Sequence, residues 1–256
     1  MKKTAGGVFL AFLAGLVLYV TSPVFLPAQR DVSGAGIAYS RIYGETDLIE
    51  NLTGTTVPSF DITDCTNASP IVVTTSASHI VANGEWVVIE DVTGNTACNG
   101  FFEAASVTST TLALVGSTGN GAYIANGILG EFFPIDGTWT DGDLSGFTSS
   151  SAGVLTYTAG PSVHVFMLHT ASSTPATDPG NPICHFAIFH NGDLLLDTIA
   201  ARNMPTTVNV GDVVGEGLLQ LTTGDTFQLL VGCVEPSGAA SYDISVDHGT
   251  LVVIAF

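Results

Sequence analysis

Residues 221–234, Leu-Thr-Thr-Gly-Asp-Thr-Phe-Gln-Leu-Leu-Val-Gly-Cys-Val, decide the fold. Gly224-Asp225 reads as a tight turn that opens straight into a strand. Beyond it Phe227, Leu229 and Val231 recur at every second residue. That is the period at which one side of a pleated strand points into a core. The stretch Cys184–Arg202 (CHFAIFHNGDLLLDTIAAR) carries the same signature, with Phe186 and Ile188 facing inward and Asn191-Gly192 closing the strand. Outward from these two segments, everything from Val57 onward reads as strand and turn. Thr, Val, Ile and Phe alternate with polar residues, and Gly or Asn-Gly clusters interrupt at short intervals. No stretch after residue 56 has the period of a long amphipathic helix. The second half therefore reads as a two-sheet sandwich. Its last run, Leu251–Phe256, is apolar, which predicts a central final strand, since a frayed tail would be polar.

Composition narrows the class. The 256 residues carry 23 Asp+Glu against five Lys+Arg, and 46% are hydrophobic. Mean hydropathy is +0.44. So few cations leave no surface to displace counterions from phosphates, which excludes ordinary nucleic-acid binding. High apolar content argues against disorder, and the scarcity of Lys argues against a helical bundle. All the acids lie at or after Asp31, where only Arg41 and Arg202 oppose them, a formal −21. Such a surface suits a saline, extracellular setting and repels anionic membranes.

The front end is different. Lys2 and Lys3 precede an uncharged stretch from Thr4 to Gln29. Its apolar core holds Val8, Phe9, Leu10, Phe12, Leu13, Leu16, Val17, Leu18, Tyr19 and Val20. Residues 5–28 are long enough to cross a hydrocarbon layer of about 30 Å at 1.5 Å per residue. The expectation is an uncleaved anchor helix over 1–30, with the basic end inside and the acidic remainder exported. A cleaved secretory signal ending at Ala28 is the competing reading, weakened by Leu26 and Pro27 at the cleavage site. Burial of the helix in a protein shell is a third.

Four cysteines, Cys65, Cys98, Cys184 and Cys233, match no zinc or redox spacing. An even number suits an exported chain with disulfides. Of three possible pairings, one cysteine pair per β region predicts Cys65–Cys98 and Cys184–Cys233, with buried free thiols as the alternative.

The expected organisation is an anchor (1–30), a stem with at most one strand (31–56), a small β module (57–127) and a β sandwich (128–256). Strands in the module are expected at Ile71–Thr75, Glu85–Asp91, Phe101–Val107 and Thr111–Val115. The module resembles a small β unit recurrent in phage tail and fibre proteins. His79, Asn83, Gly84, Gly94, Asn95, Asn99, Gly100, Gly119, Gly121 and Tyr123 carry that resemblance in order. It covers about a quarter of the chain and implies a spacer or assembly unit. The last half resembles the trimeric jelly roll of tumour-necrosis-factor and complement heads, used also in phage head fibres. The residues that carry it are Trp139, the Gly153-Val-Leu-Thr-Tyr157 strand, the aromatic strand ending at Asn191-Gly192, the Leu221–Leu229 turn and strand, and the apolar C-terminal strand. This resemblance implies an all-β jelly-roll head and a homotrimer around a three-fold axis.

No Gly-x-Ser-x-Gly, His-Glu-x-x-His or phosphate-binding loop occurs, so a non-enzymatic protein is expected. His164, His185 and His190 lie in strand-like runs. They read either as a metal set or, preferably, as hydrogen-bonded strand histidines. Asp136, Asp141 and Asp143 form a weak calcium loop that lacks a closing bidentate Glu, so a plain solvated turn is preferred and no cofactor other than Ca²⁺ is expected. A glycan hydrolase would need two carboxylates placed in a cleft. The combined expectation is a virion structural protein (a spike, fibre or decoration protein) on the virion surface. It would contact itself, other capsid proteins, a membrane through residues 5–28, and a host receptor or glycan. A bacterial surface adhesin or filament subunit is the alternative.

Overall fold

A computed structural model describes residues 39–43, 57–135, 140–160, 162–175, 181–204, 211–235, 241–242 and 244–255. The expected anchor helix lies outside these residues. Among them, no helix is long and apolar enough to cross a membrane. Residues 37–256 form one unit by their backbone contacts.

In chain order the strands are β1 (Tyr39–Tyr43), β2 (Val57–Cys65), β3 (Ile71–Thr75), β4 (Trp86–Glu90), β5 (Gly100–Ala105) and β6 (Thr111–Leu114). There follow β7 (Ile128–Pro134), β8 (Thr140–Leu144), β9 (Phe147–Ser149), β10 (Leu155–Tyr157), β11 (Val163–Pro175) and β12 (Ile183–His190). The last are β13 (Asp193–Leu194), β14 (Ala200–Asn203), β15 (Gly211–Leu221), β16 (Thr226–Val234), β17 (Ser241–Tyr242) and β18 (Ile244–Ala255). Two short 3-10 turns, Thr96–Cys98 and Leu196–Thr198, are the helical elements described. The protein is all-β.

The C-terminal half is a sandwich. One sheet runs β15-β11-β18-β1-β8, and the other carries β14-β12-β16-β10 with β9 beyond. Along the chain β10, β11, β12, β14, β15, β16 and β18 cross between sheets at every step except the β12–β14 connection. That alternation is a jelly roll. Phe186, Ile188, Phe227, Leu229 and Val231 all lie in the core between the sheets, as their period requires, with Leu155, Tyr157, Val165, Met167, Leu251 and Val253. β18 lies between β11 and β1, so the apolar C-terminal run is central; Phe256 lies outside the described residues. β1 falls in the segment expected as a stem. It pairs with β18 from Tyr39↔Ile254 to Tyr43↔Thr250 and belongs to the jelly roll.

The small module is inserted between β1 and β8. Its expected strands stand as β3 to β6, and its core is built from Ile62, Ile71, Val73, Val87, Ile89, Leu112, Leu114 and Leu129. The turn residues act as staples. Buried Asn95 donates its side-chain amide to the Cys65 and Thr66 carbonyls, at 3.2 and 2.9 Å, and accepts from Asn120 N–H. Asn99 spans Val92 in both directions, and Tyr123 donates to the Ile62 and Asn126 carbonyls. Gly94 has φ +85°, and a Cβ there would overlap the Ala122 carbonyl. Both expected disulfides are formed, Cys65–Cys98 in the module and Cys184–Cys233 across β12 and β16.

The two halves are not strung as beads. β7 pairs with β4 and β2 inside the module, then continues so that Phe132, Phe133 and Pro134 pair with β16 of the jelly roll. Residue 128, where the second region was expected to begin, is the first residue of this shared strand. A third core cluster seals the joint, with Val88, Ile128 and Phe132 against Ala187, Phe189, Leu194 and Val234. Next to it His185 Nε2 meets Glu90 Oε1 at 2.9 Å, and the Phe101 ring packs edge-on against His185. Gly130 permits the crossing, because a Cβ there would overlap the Cys233 carbonyl and press on Val234.

Gly130→Ala is therefore expected to lower stability by about 1–3 kcal/mol through overpacking at the joint, read as a lower melting midpoint in calorimetry. Replacing both Cys184 and Cys233 with Ala is expected to lose roughly 3–4 kcal/mol, the value for a loop of this length, in the same measurement.

Candidate functional site

The outward side of the five-stranded sheet is the surface least like that of a solitary soluble domain. Strand β11 is apolar at both parities: Val165 and Met167 enter the core, while Phe166 and Leu168 lie half-buried on the other side. Backbone register extends that second side into rows. One row is Leu218–Phe166–Ile254 and the next is Glu216–Leu168–Val252. At the edge strand β15, Leu218 is 71% exposed and Val214 59% exposed, and Ile254 on β18 is exposed as well. An open sheet face is ordinarily polar. Here apolar side chains run from the β15 edge to β18. Beside Leu218 a cavity of about 300 Å³ is lined by Met167, Leu194, Leu195, Leu196, Thr198 and Gly217, with Asp197 also in the lining. Such a face can bind by desolvation.

The histidines are dispersed. His164 is exposed on β11, whereas His185 and His190 stand on β12 in the opposite sheet, so the three are not brought together. His185 engages Glu90 at the joint. His190 stacks on Phe227 with centroids 5.2 Å apart and meets Asp225 at 3.2 Å. Buried His169 is within 2.7 Å of the Thr198 carbonyl oxygen; burial pulls its pKa down against that hydrogen bond. His79 is buried against Phe60, and its pKa is likewise lowered by burial. The side chain of His248 lies outside the described residues. Among those residues no group of three or more His, Cys, Asp or Glu could hold a metal ion.

Asp136 of the expected calcium loop lies outside the described residues. Asp141 and Asp143 fall on strand β8, so that part of the acidic run is strand where a loop was expected; only their backbone is described.

Two carboxyl sites escaped the sequence reading. Asp225 ties the β15–β16 turn to the tip of the β12–β13 hairpin. It accepts from Thr222 N–H at 2.8 Å and from the Asn191 side-chain amide at 2.9 Å, while Asn191 Oδ1 accepts Thr226 N–H. Burial alone would raise the Asp225 carboxyl. The hydrogen bonds from Thr222, Asn191 and His190 outweigh burial and hold it down at about 2. Glu131 is the reverse case. It is 4% exposed in β7, and burial, then a hydrogen bond to Glu85 and the Glu85 charge, push it up to about 8. A single carboxylate inside Ile-Leu-Gly-Glu-Phe-Phe was the available signal.

No protein-family model matches the chain, and no curated protein matches it. Among solved structures it is similar to the crystal structure of murine APRIL at pH 5.0. The TM-score is 0.33 and the identity 11%, over 47% of this chain and 87% of that one. It is also similar to the structure of the Gx strain of infectious bursal disease virus. There the TM-score is 0.23 and the identity 9%, over 85% of this chain and 56% of that one. Scores this low imply no shared fold by themselves, and the jelly-roll assignment rests on strand order.

The depressed Asp225 contributes stability that is present above its unfolded value of 3.8 and lost as pH falls through about 2. Asp225→Asn is expected to destabilise the protein by about 1–2 kcal/mol at pH 7 and to flatten the acid limb of the stability curve between pH 4 and 2, measured by urea unfolding.

Proposed function

We propose that the chain is a virion structural protein, a spike, fibre or decoration protein of a bacteriophage, that works by assembly and surface attachment and not by catalysis. The observation that carries this reading is the apolar outer sheet face of the jelly roll. Exposed Leu218, Val214 and Ile254, together with half-buried Phe166, Leu168 and Val252, form a surface that water disfavours. Burying a large aliphatic or aromatic side chain contributes about 1.5–3 kcal/mol, so neighbouring copies meeting on this face gain enough to hold a permanent assembly. The occupant proposed is a second and third copy of the chain, as the jelly-roll resemblance implies. A trimer multiplies weak contacts to a host surface into useful avidity.

The remaining features suit the same role. The strongly acidic surface keeps the exported part soluble outside the face. Disulfides in both halves fit an oxidising exterior. The module is joined to the head through the shared strand β7. We place the chain on the virion surface, held by that apolar front end in a membrane or protein shell, with capsid proteins and a host receptor or glycan as its other partners.

Sedimentation of the full-length chain in mild detergent is expected to give a trimeric mass. Leu218→Asp combined with Ile254→Asp is expected to give monomers whose circular dichroism is unchanged. A wild-type monomer, or a double variant that stays trimeric, overturns the reading.

A further inference from the structure

Strand β15 is an edge strand, paired among the described residues with β11 alone. Its inward positions, at the parity of buried Val213 and Leu221, include Gly215 and Gly217. At Gly215 the space is taken, since a Cβ there would overlap the Thr198 carbonyl and the His169 ring. At Gly217 a Cβ would come within 2.8 Å of Thr198 Cγ2 and 3.6 Å of Met167 Cε. No side chain projects from this position, and the cavity of about 300 Å³ lies here, between the strand and the 194–198 segment. The far wall is firmly held. The Thr198 hydroxyl donates to the Leu195 carbonyl at 2.7 Å and accepts Ile188 N–H at 2.9 Å, and the Thr198 carbonyl meets buried His169 Nε2 at 2.7 Å. The turn so pinned keeps Leu196 58% exposed on one side of the mouth, while Leu218 stands exposed on the strand side. Two large apolar side chains held in water beside an apolar cavity favour the entry of an apolar body.

Charge decides what that body carries. Asp197 is the one charged residue in the lining, and it is exposed at the mouth. Among the described residues its carboxylate has no ion-pair partner. Asp193 on β13 and Glu216 on β15 are exposed acids beside it in sequence or strand. Arg202 of β14 does not line the cavity and has an interaction of its own. An anionic ligand is therefore repelled from the mouth, and a cationic end is attracted to it.

We propose that this cavity is a binding site for a small organic cation, a primary alkylamine in its ammonium form, with its aliphatic body against Met167, Leu195 and Leu196 and its head at the Asp197 carboxylate. The volume is at the lower end of the range for small-molecule sites, which suits a short alkyl body. The head keeps its water, because Asp197 stands at the open mouth, so no charge has to be buried. The lining comes from β11, β15 and the 194–198 segment of a single copy, so the site goes beyond the assembly proposed above.

Of the chain's three methionines, Met167 lines the cavity and Met204 is buried outside it. Methyl-labelled methionine in the full-length chain, kept in a bulky steroidal detergent, therefore reports occupancy by NMR with a control in the same spectrum. Hexylammonium, hexanol and hexanoate are compared at free concentrations fixed by dialysis. The Met167 signal is expected to shift with the amine and the alcohol while Met204 stays in place. The amine is expected to bind about two- to fivefold more tightly than the alcohol, the worth of an exposed ion pair, with hexanoate weakest. Asp197→Asn is expected to erase the difference between amine and alcohol. Leu196→Ser, at an exposed position outside the core, is expected to weaken both by about fourfold. A Met167 signal that ignores the amine, hexanoate binding as tightly as hexylammonium, or an unchanged preference in Asp197→Asn overturns the proposal. Sedimentation of the same samples keeps the two readings apart. A trimer that binds nothing sinks the site alone, and a monomer that binds the amine sinks the assembly alone.

Discussion

Strand β7 is the constraint on which the architecture depends. Its first residues complete the module sheet, and its last three complete the jelly-roll sheet beside β16. A strand cannot be bent freely between two sheets without losing ladder hydrogen bonds, so the two halves are held in one relation. Gly130 sits where β16 passes over, and the Phe132–Phe189 and Phe101–His185 contacts fill the space beside it. The inserted module is thereby a rigid extension of the head, and the His185–Glu90 contact lies on the seam between them.

That seam explains why β12 is buried on both sides. Cys184, Phe186 and Ile188 face the sandwich core, while Ala187 and Phe189 face the module. Among the described residues, the other sheet has no such neighbour on its outer side. Phe166, Leu168, Leu218 and Val252 there have the composition of a covered surface.

Much of this was legible in the residues. The period-two runs at 184–190 and 227–231, the Asn-Gly turns and the cysteine pairing all depend on interactions close in sequence or within one region. Local geometry reports such interactions directly. Asn95, Asn99 and Tyr123 stood out as motif residues because turns need them, and the structure supplies the hydrogen bonds they make. The His185–Glu90 contact was not legible. The two residues lie in strands β12 and β4, in different halves of the molecule, and only the joint formed around β7 brings them together. The one strand expected within residues 31–56 is β1, and its place was not legible: Tyr39 to Tyr43 pair with the far C-terminal strand β18.

The sequence by itself determined an all-β chain, the inward residues of its main strands, its turns, its acidic exterior and an apolar front end. Each of these follows from side-chain period, backbone preference or charge, which need no partner to be read. The tertiary structure alone decided that the module is spliced into the jelly roll through β7, which apolar sheet face stays exposed among the described residues, and that His185 meets Glu90 across the joint. Those are contacts between segments far apart in the chain, and no local property of a segment specifies the neighbour it will meet.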